Sequence, residues 1–336
     1  MTALAEAVLA GNRRALSRLL THIENENPIA AEAVAALFPH TGQAHRIGIT
    51  GAPGTGKSTL VAALAAGYRQ RGQTVAVLAV DPTSPFTGGA VLGDRIRMGA
   101  LAGDKGVFVR SVATRGNLGG ITRSTRQLMH VLDAAGYDRV IVETVGAGQS
   151  EVEVVDMAHT TVVVEAPGLG DSVQAIKAGI LEIADVLVIN KADLPGAVQT
   201  RRALQQMLEL GHPTKTMTSG HHGSLIQSQT PAPTDTELWL PPLLETVSPQ
   251  SQGIDELIDA LDRHREYLQT SGLGQQHQQQ VAADDFFDVL KETLFAEFLS
   301  HLPSDTLAQT LTDIQARKIS PKEAVDHVLH EYQAQQ

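Results

Sequence analysis

The stretch from Arg46 to Leu60 constrains the fold more than any other part of the chain. It reads as a short apolar strand, a glycine-rich turn and the first turn of a helix, and Gly51–Ser58 fits the pattern G-x-x-x-x-G-K-[ST]. Glycines allow successive backbone N–H groups to point at phosphate oxygens, and the amino end of the following helix adds positive potential. The pattern predicts a phosphate-binding loop for a nucleoside triphosphate, and it fits ATP and GTP equally well.

Two side chains of this loop carry chemistry of their own. Lys57 can bring a positive charge to the terminal phosphates, and the hydroxyl of Ser58 can bind Mg²⁺. Lys57 is also a predicted catalytic residue, because its charge opposes the charge that develops on the γ-phosphate during hydrolysis. The predicted nucleotide-binding residues of the loop are Gly51, Pro53, Gly54, Thr55, Gly56, Lys57, Ser58 and Thr59.

The apolar runs that follow predict an α/β fold with a mostly parallel sheet. They are continuous and rich in valine and isoleucine, which is typical of strands that helices cover on both faces. Ligands of such sheets bind beyond the carboxyl ends of the strands, so we expect the functional residues there. The candidate strands are Arg46–Thr50, Thr74–Val80, Val107–Val112, Arg139–Glu143, Thr161–Glu165 and Asp185–Asn190.

Acidic residues follow the ends of two of these strands. Asp81 ends the second strand, Asp94 lies in the segment after it, and Glu143 ends the fourth strand. Mg²⁺ takes few protein oxygens and keeps several waters, so one or two carboxylates are enough. One such acid alone is more often a solvated loop residue. Two of them at strand ends, in a sheet with a phosphate loop, favour a magnesium site.

The tetrapeptide Asn190-Lys191-Ala192-Asp193 follows a buried strand and selects the base. A carboxylate such as that of Asp193 can accept hydrogen bonds from the ring N–H and the amino group of guanine, and adenine has no such pair of donors. Asn190 can fix the neighbouring loops, and the stem of Lys191 can cover the base. Behind a phosphate loop, this motif predicts GTP rather than ATP.

Helices flank the predicted nucleotide domain, which spans residues 43–270. Residues 1–42 read as a helical segment, and residues 271–336 read as a helical arm. A glutamine-rich break at Gln275–Gln280 is interpreted as a hinge, and the capping box Ser320–Glu323 predicts the start of the last helix. The apolar face of the arm fits docking on another subunit and packing back on the core equally well.

Composition excludes several classes of function. The formal net charge is −11 without a basic stripe, which argues against a nucleic-acid partner. The chain has no cysteine, so disulfides, thiolate metal sites and a cysteine nucleophile are excluded. No apolar run is long enough for a membrane span, and we expect a cytoplasmic protein without a membrane partner. The histidines of the segment His212–His222 could bind a transition metal, although exposed loop histidines are the simpler interpretation.

The chain resembles the methylmalonyl-CoA-mutase-associated GTPases, a family formerly described as arginine/ornithine transport kinases. The resemblance extends from Leu9 to Leu268. The stretches that carry it are Val80–Gly89, Leu92–Arg95, Arg115–Gly120, Glu143–Glu151, Pro167–Asp171 with Gln174 and Lys177, and Trp239–Pro242.

The resemblance implies a homodimeric, Mg²⁺-dependent GTPase that binds GTP or GDP and acts on an adenosylcobalamin-dependent acyl-CoA mutase. It would gate cofactor loading and protect or reactivate the mutase. Residues 146–151 and 171–177 would be switches, and the helical arm would dimerise. The implied magnesium ligands are Ser58, Asp81, Asp94 and Glu143, and the implied catalytic residues are Lys57, Asp94, Glu143 and Gln149.

Departures from the family pattern are local. Ser248-Pro249 stands where the family has an alanine-containing guanine loop, so Ser248 is the predicted base contact there, and Pro249 cannot donate an N–H. Ala147 rather than glutamine follows the switch glycine, with Gln149 two residues later, which predicts slow intrinsic hydrolysis. Two other functions remain open from the sequence: a metal-delivery GTPase for a nickel or cobalt enzyme, and a kinase of a transport binding protein.

Overall fold

The computed structural model describes residues 2–81, 103–113, 123–144, 157–168, 183–210 and 238–334. Its internal contacts divide the chain into a first unit, Met1–His277, and a second unit, Gln278–Gln336. The N-terminal helices thus belong to the same unit as the phosphate loop.

The first unit contains a seven-stranded sheet in the order β3-β2-β4-β1-β5-β6-β7, and every pairing is parallel. The predicted α/β class and all six predicted strands are confirmed, with ends that shift by one residue at most. The strands are β1 (His45–Thr50), β2 (Val75–Asp81), β3 (Val107–Ala113), β4 (Arg139–Thr144), β5 (Thr160–Glu165), β6 (Val186–Asn190) and β7 (Leu243–Thr246).

Strand β7 was not predicted. It has four residues and follows a proline-rich segment, so its apolar run is too short to stand out from the sequence. It forms because β6 offers it a parallel edge, with Leu243 opposite Leu187 and Thr246 opposite Asn190. The strand therefore depends on tertiary pairing rather than on its own pattern.

Helices cover both faces of the sheet. Helices α4 and α7 share a buried core with the central strands on one face, and α1–α3 and α5 pack on the other. Short 3₁₀ turns occur at Phe38–His40 and Ser248–Gln250. The helices are α1 (Ala3–Leu9), α2 (Arg13–Glu24), α3 (Pro28–Leu37), α4 (Lys57–Gln70), α5 (Arg123–Ala134), α6 (Ala197–Leu210), α7 (Ile254–Thr270) and the start of α8 (Leu273–His301).

The N-terminal helices pack against the sheet and share its hydrophobic core. Leu19 and Leu20 are fully buried in the core under the sheet. Arg13 donates to the backbone carbonyls of Lys105 at 2.9 Å and Val107 at 2.6 Å. A covered edge strand offers fewer free backbone groups to another chain, so this contact protects the β3 side of the sheet.

The second unit contains most of α8 together with α9 (Ser304–Gln315) and α10 (Pro321–Ala334). The predicted capping box is confirmed, because Glu323 N donates to Ser320 Oγ at 3.2 Å and Ser320 N donates to Glu323 Oε2 at 2.8 Å. Pro321 is the first residue of α10, where a missing N–H costs nothing.

The predicted break at Gln275–Gln280 is wrong, because these residues are helical within α8, although the boundary between the two units, at His277 and Gln278, lies within this segment. Glutamine has a high helix propensity, and a run of polar residues in one helix does not interrupt it. The helical break lies earlier, at Ser271-Gly272, where Gly272 has a φ of +75°. Of the helices in the described ranges, none is long and apolar enough to cross a membrane.

Three histidines meet at the amino ends of β1 and β5, away from the phosphate loop. His45 Nε2 lies 2.8 Å from Thr160 Oγ1, which lies 2.8 Å from His264 Nδ1. The rings of His45 and His159 stack with their centroids 6.1 Å apart. Burial, reinforced by the charge of Arg46, lowers the pKa of His159 to about 3. Burial, with a smaller effect of His159, also holds the pKa of His45 well below its ordinary value.

Stability should therefore fall on mild acidification. The pKa values of His45 and His159 are lower in the folded than in the unfolded chain. The unfolded chain therefore takes up more protons as the pH falls below about 6.5. The stabilisation is complete above that pH. Between pH 7 and pH 5 His159 should lower the free energy of unfolding by about 2 kcal/mol, and His45 should lower it further.

Urea denaturation at pH 5, 6, 7 and 8 measures this loss. The variant His159→Gln keeps a polar side chain of similar size but cannot be protonated in this range, so it should lose about 2 kcal/mol less stability over the same interval. A free energy of unfolding that stays constant from pH 7 to pH 5 in the unsubstituted protein would contradict the prediction.

Candidate nucleotide-binding site

The phosphate loop connects β1 to α4, and two of its glycines are required by close contacts. Gly51 has a φ of +137°, and a Cβ atom there would lie 2.1 Å from the backbone oxygen of Val164. Gly56 has a φ of +90°, and its Cβ would lie 2.6 Å from Asn190 Nδ2. A side chain at either position would displace a neighbouring strand end, so the loop shape depends on glycine.

Lys57 lies at the first position of α4 and is buried. Its Nζ donates to the backbone oxygens of Gly51 at 2.6 Å and Ala52 at 3.1 Å. Thr55 Oγ1 also donates to the oxygen of Ala52, at 2.9 Å. The loop thus holds an ammonium group beside the amino end of a helix, and both features attract phosphate. Among the other predicted loop contacts, Pro53 and Gly54 are exposed and Thr59 is half-buried.

Ser58 and Glu143 meet at the carboxyl edge of the sheet. Ser58 Oγ donates to Glu143 Oε1 at 2.6 Å, and both residues are buried. Strand pairing brings them together, because Glu143 on β4 lies opposite Ile49, just before the phosphate loop. The two groups are hard oxygen donors, which fit Mg²⁺. They are the only two of the predicted magnesium ligands whose side chains the structure describes.

Of the remaining predicted magnesium and catalytic residues, the structure describes only the backbone of one. The backbone of Asp81 ends β2, on the same edge as Glu143. Asp94 and Gln149 lie outside the described residues, as does the segment His212–His222. Within the ranges that are described, no group of three or more histidine or acidic side chains could hold a metal ion.

Asn190 joins the phosphate loop to the loop after β7. Its Nδ2 donates to the backbone oxygen of Thr55 at 2.9 Å. Its Oδ1 accepts from Thr246 Oγ1 at 3.1 Å and from Ser248 Oγ at 2.7 Å. The bond from Thr246 to Asn190 was not predicted, because it depends on the pairing of β7 with β6. The sequence signal available for this contact was the position of Thr246 two residues before Ser248.

Lys191 and Asp193 lie next to this junction. Lys191 has a φ of +58°, and its Nζ donates to the backbone oxygen of Gly54 at 2.7 Å. Asp193 is exposed in a turn that Ala192 N fixes by donating to the oxygen of Thr246 at 3.1 Å. The structure thus places Asn190, Lys191 and Ser248 against the phosphate loop and leaves the Asp193 carboxylate open to a base.

A substitution at Gly56 should weaken nucleotide binding more than the same substitution at Gly54. Both glycines have a positive φ, so Gly56→Ala and Gly54→Ala share a similar backbone strain of about 1–2 kcal/mol. A Cβ at Gly54 meets nothing within 4 Å, whereas at Gly56 it collides with Asn190. Calorimetry should show at least a tenfold greater loss of GDP affinity for Gly56→Ala. Equal losses would contradict a positioning role of Asn190.

Comparison with known proteins agrees with this geometry. A family model described as "Methylmalonyl Co-A mutase-associated GTPase MeaB" matches residues 16–302. A protein of Pyrococcus abyssi that is named as a GTPase is 42% identical over 98% of this chain and 95% of its own length. The mitochondrial methylmalonic aciduria type A homolog of Caenorhabditis elegans is 30% identical over 98% of this chain and 82% of its own length.

A solved structure agrees as well. The crystal structure of a LAO/AO transport system kinase superimposes with a TM-score of 0.67 and 28% sequence identity, over 98% of this chain and 96% of the other. The family resemblance inferred from the motifs is therefore confirmed. The chain belongs to the methylmalonyl-CoA-mutase-associated GTPase family, MeaB, and has an α/β P-loop GTPase fold.

Proposed function

We propose that this GTPase is a Mg²⁺-dependent chaperone of an adenosylcobalamin-dependent acyl-CoA mutase, which gates cofactor loading and protects or reactivates the mutase. The description of the family model, which names association with methylmalonyl-CoA mutase, is the observation that carries this proposal. The name of the nematode relative, which refers to methylmalonic aciduria, supports the same metabolic context. The buried Asn190 junction supports the nucleotide-binding part.

Different residues of the site bind Mg²⁺ and stabilise the charge on the phosphates. Ser58 and Glu143, with Asp81 and Asp94, would hold Mg²⁺, which neutralises charge on the β- and γ-phosphates when bound. Lys57 lies 2.6 Å from a loop carbonyl and adds a fixed positive charge at the same phosphates. Because its ammonium group is already held by the loop, little reorganisation is needed as negative charge develops.

The base and the attacking water are handled by other residues. Asp193 accepts the ring N–H and amino group of guanine, and Lys191 covers the base from the side of Gly54. Gln149 is the proposed residue for orienting the attacking water, although it stands two positions later than the glutamine that directly follows the switch glycine in Ras-like GTPases. Intrinsic hydrolysis is therefore slow until a partner reorders the switch.

Single-turnover hydrolysis with and without a mutase tests the proposal. The mutase should raise the hydrolysis rate at least tenfold, and serum albumin should leave it unchanged, because only the partner reorders the switch. Lys57→Ala should abolish hydrolysis in both reactions. Fast hydrolysis by the free protein, or no change with several mutases, would contradict the chaperone role while leaving the GTPase assignment intact.

The same hydrolysis reaction also distinguishes a GTPase from a kinase. The related solved structure is named as a transport system kinase, which is the observation that favours this second candidate. With GTP labelled at the γ-phosphate, a GTPase releases all the label as inorganic phosphate. Label that stays on a transport binding protein would instead support the kinase.

The second unit is the proposed dimerisation arm. Its helix α8 exposes large apolar side chains, including Leu294 at 55% and Phe295 at 62% of their full accessibility. Exposed apolar surface of this kind marks a protein interface. The partner that we propose is the same arm of a second copy. The apolar residues that α8 exposes in the second unit are Phe286, Val289, Leu290, Leu294, Phe295 and Leu299.

A charge on this face should separate the subunits. Leu294→Glu would bury a carboxylate without a partner in the dimer, which is strongly unfavourable. Sedimentation velocity at about 10 μM should show a dimer for the unsubstituted protein and a monomer for the variant. Gln279→Glu adds the same charge at an exposed polar position of α8 and should remain dimeric. A monomeric unsubstituted protein would contradict the proposal.

A further inference from the structure

The loop that follows β7, residues 247–252, lies beside the base-selecting motif. Ser248 donates to Asn190 Oδ1 twice, from Oγ at 2.7 Å and from its backbone N at 3.4 Å. Ala192 N donates to the backbone oxygen of Thr246 at 3.1 Å. These bonds fix the loop against the turn that carries Asp193.

The whole loop lies in the described stretch 238–334. None of its backbone N–H groups is free to bind a ligand. Ser248 N is directed to Asn190, and Pro249 has no N–H. The other four bonds close the loop on itself: Val247 N to Gln252 O at 3.0 Å, Gln250 N to Val247 O at 3.0 Å, Ser251 N to Ser248 O at 3.1 Å, and Gln252 N to Val247 O at 3.3 Å.

Several side-chain donors near the loop also have protein partners, whereas the side chains of Gln250, Ser251 and Gln252 are exposed. The hydroxyls of Thr246 and Ser248 both donate to Asn190 Oδ1. Asn190 Nδ2 donates to Thr55 O, and Lys191 Nζ donates to Gly54 O. Ser248 therefore acts on the nucleotide through Asn190, as a positioning residue, and not through a contact of its own with the base.

Guanine presents two kinds of groups to such a site. The ring N–H and the amino group are donors, and O6 is an acceptor. Asp193 can satisfy both donors, because a carboxylate is an acceptor only. O6 is an acceptor, and the loop after β7 adjoins the turn that carries Asp193 through the bond from Ala192 N to Thr246 O.

We infer that Pro249 leaves guanine O6 without a backbone N–H from this loop, so that the chain recognises guanine mainly through its ring N–H and amino group. The inference rests on guanine-nucleotide binding by the family. Selection against adenine still works, since adenine has no donor pair for Asp193. Selection at position 6 of the purine is weakened, so this GTPase should tolerate changes there that a loop with a free backbone N–H would reject.

Calorimetry with 6-thio-GDP tests this inference on the unsubstituted protein. The probe keeps the ring N–H and amino group but replaces O6 by sulfur, a weak acceptor. It should bind within about threefold of GDP, because no backbone N–H bond from this loop is lost. Inosine diphosphate, which keeps O6 but lacks the amino group, should bind at least tenfold more weakly than GDP. A tenfold or greater preference for GDP over 6-thio-GDP would overturn the inference.

The variant Pro249→Ala restores an N–H at the loop. It should bind GDP about three to ten times more tightly than the unsubstituted protein, with a smaller gain for 6-thio-GDP. Equal affinities of variant and unsubstituted protein for both nucleotides would count against the role of Pro249. Thermal denaturation without ligand checks that the variant is folded, and the comparison on the unsubstituted protein does not depend on it.

A second variant separates this inference from the proposed function. Asp193→Asn should lose GDP affinity at least tenfold and lose the preference for GDP over inosine diphosphate. If the unsubstituted protein binds GDP no better than ADP, the guanine assignment itself fails and the inference fails with it. If GDP is preferred to ADP but 6-thio-GDP is rejected, only the inference fails.

Discussion

Asn190 joins three segments that lie far apart in the sequence, and the nucleotide site depends on this junction. Its carboxamide uses the nitrogen for the phosphate loop and the oxygen for the loop after β7. Because the residue is buried, losing one of these bonds leaves a polar group with neither a protein partner nor water. Each such loss destabilises the fold by about 1–3 kcal/mol. The junction therefore favours one arrangement of the phosphate-binding and base-selecting loops.

The alternation of the strands explains why the side chains of the site meet. Ile141 on β4 and Val188 on β6 belong to the core beneath α4. Successive side chains of a strand point to opposite faces, so Glu143 and Asn190, two residues further on, lie on that same face. Ser58 stands in the first turn of α4 and donates to Glu143. The site is thus the carboxyl-edge continuation of the hydrophobic core.

The site attracts an anion although the chain as a whole is acidic, with a formal net charge of −11. At physiological ionic strength, charges more than about 8 Å away are largely screened. The local groups therefore dominate: Lys57, Lys191 and the amino end of α4. Loop carbonyls hold both ammonium groups, which limits the entropy lost when phosphate binds.

The sequence by itself determined the fold class, six of the seven strands, the phosphate loop and the family, because each depends on local spacing and composition. Only the tertiary structure decided β7, the bonds of Thr246 and Ser248 to Asn190, and the covering of β3 by Arg13. Strand pairing and buried hydrogen bonds join residues more than fifty positions apart, and the spacing of residues along the chain does not record which of them meet.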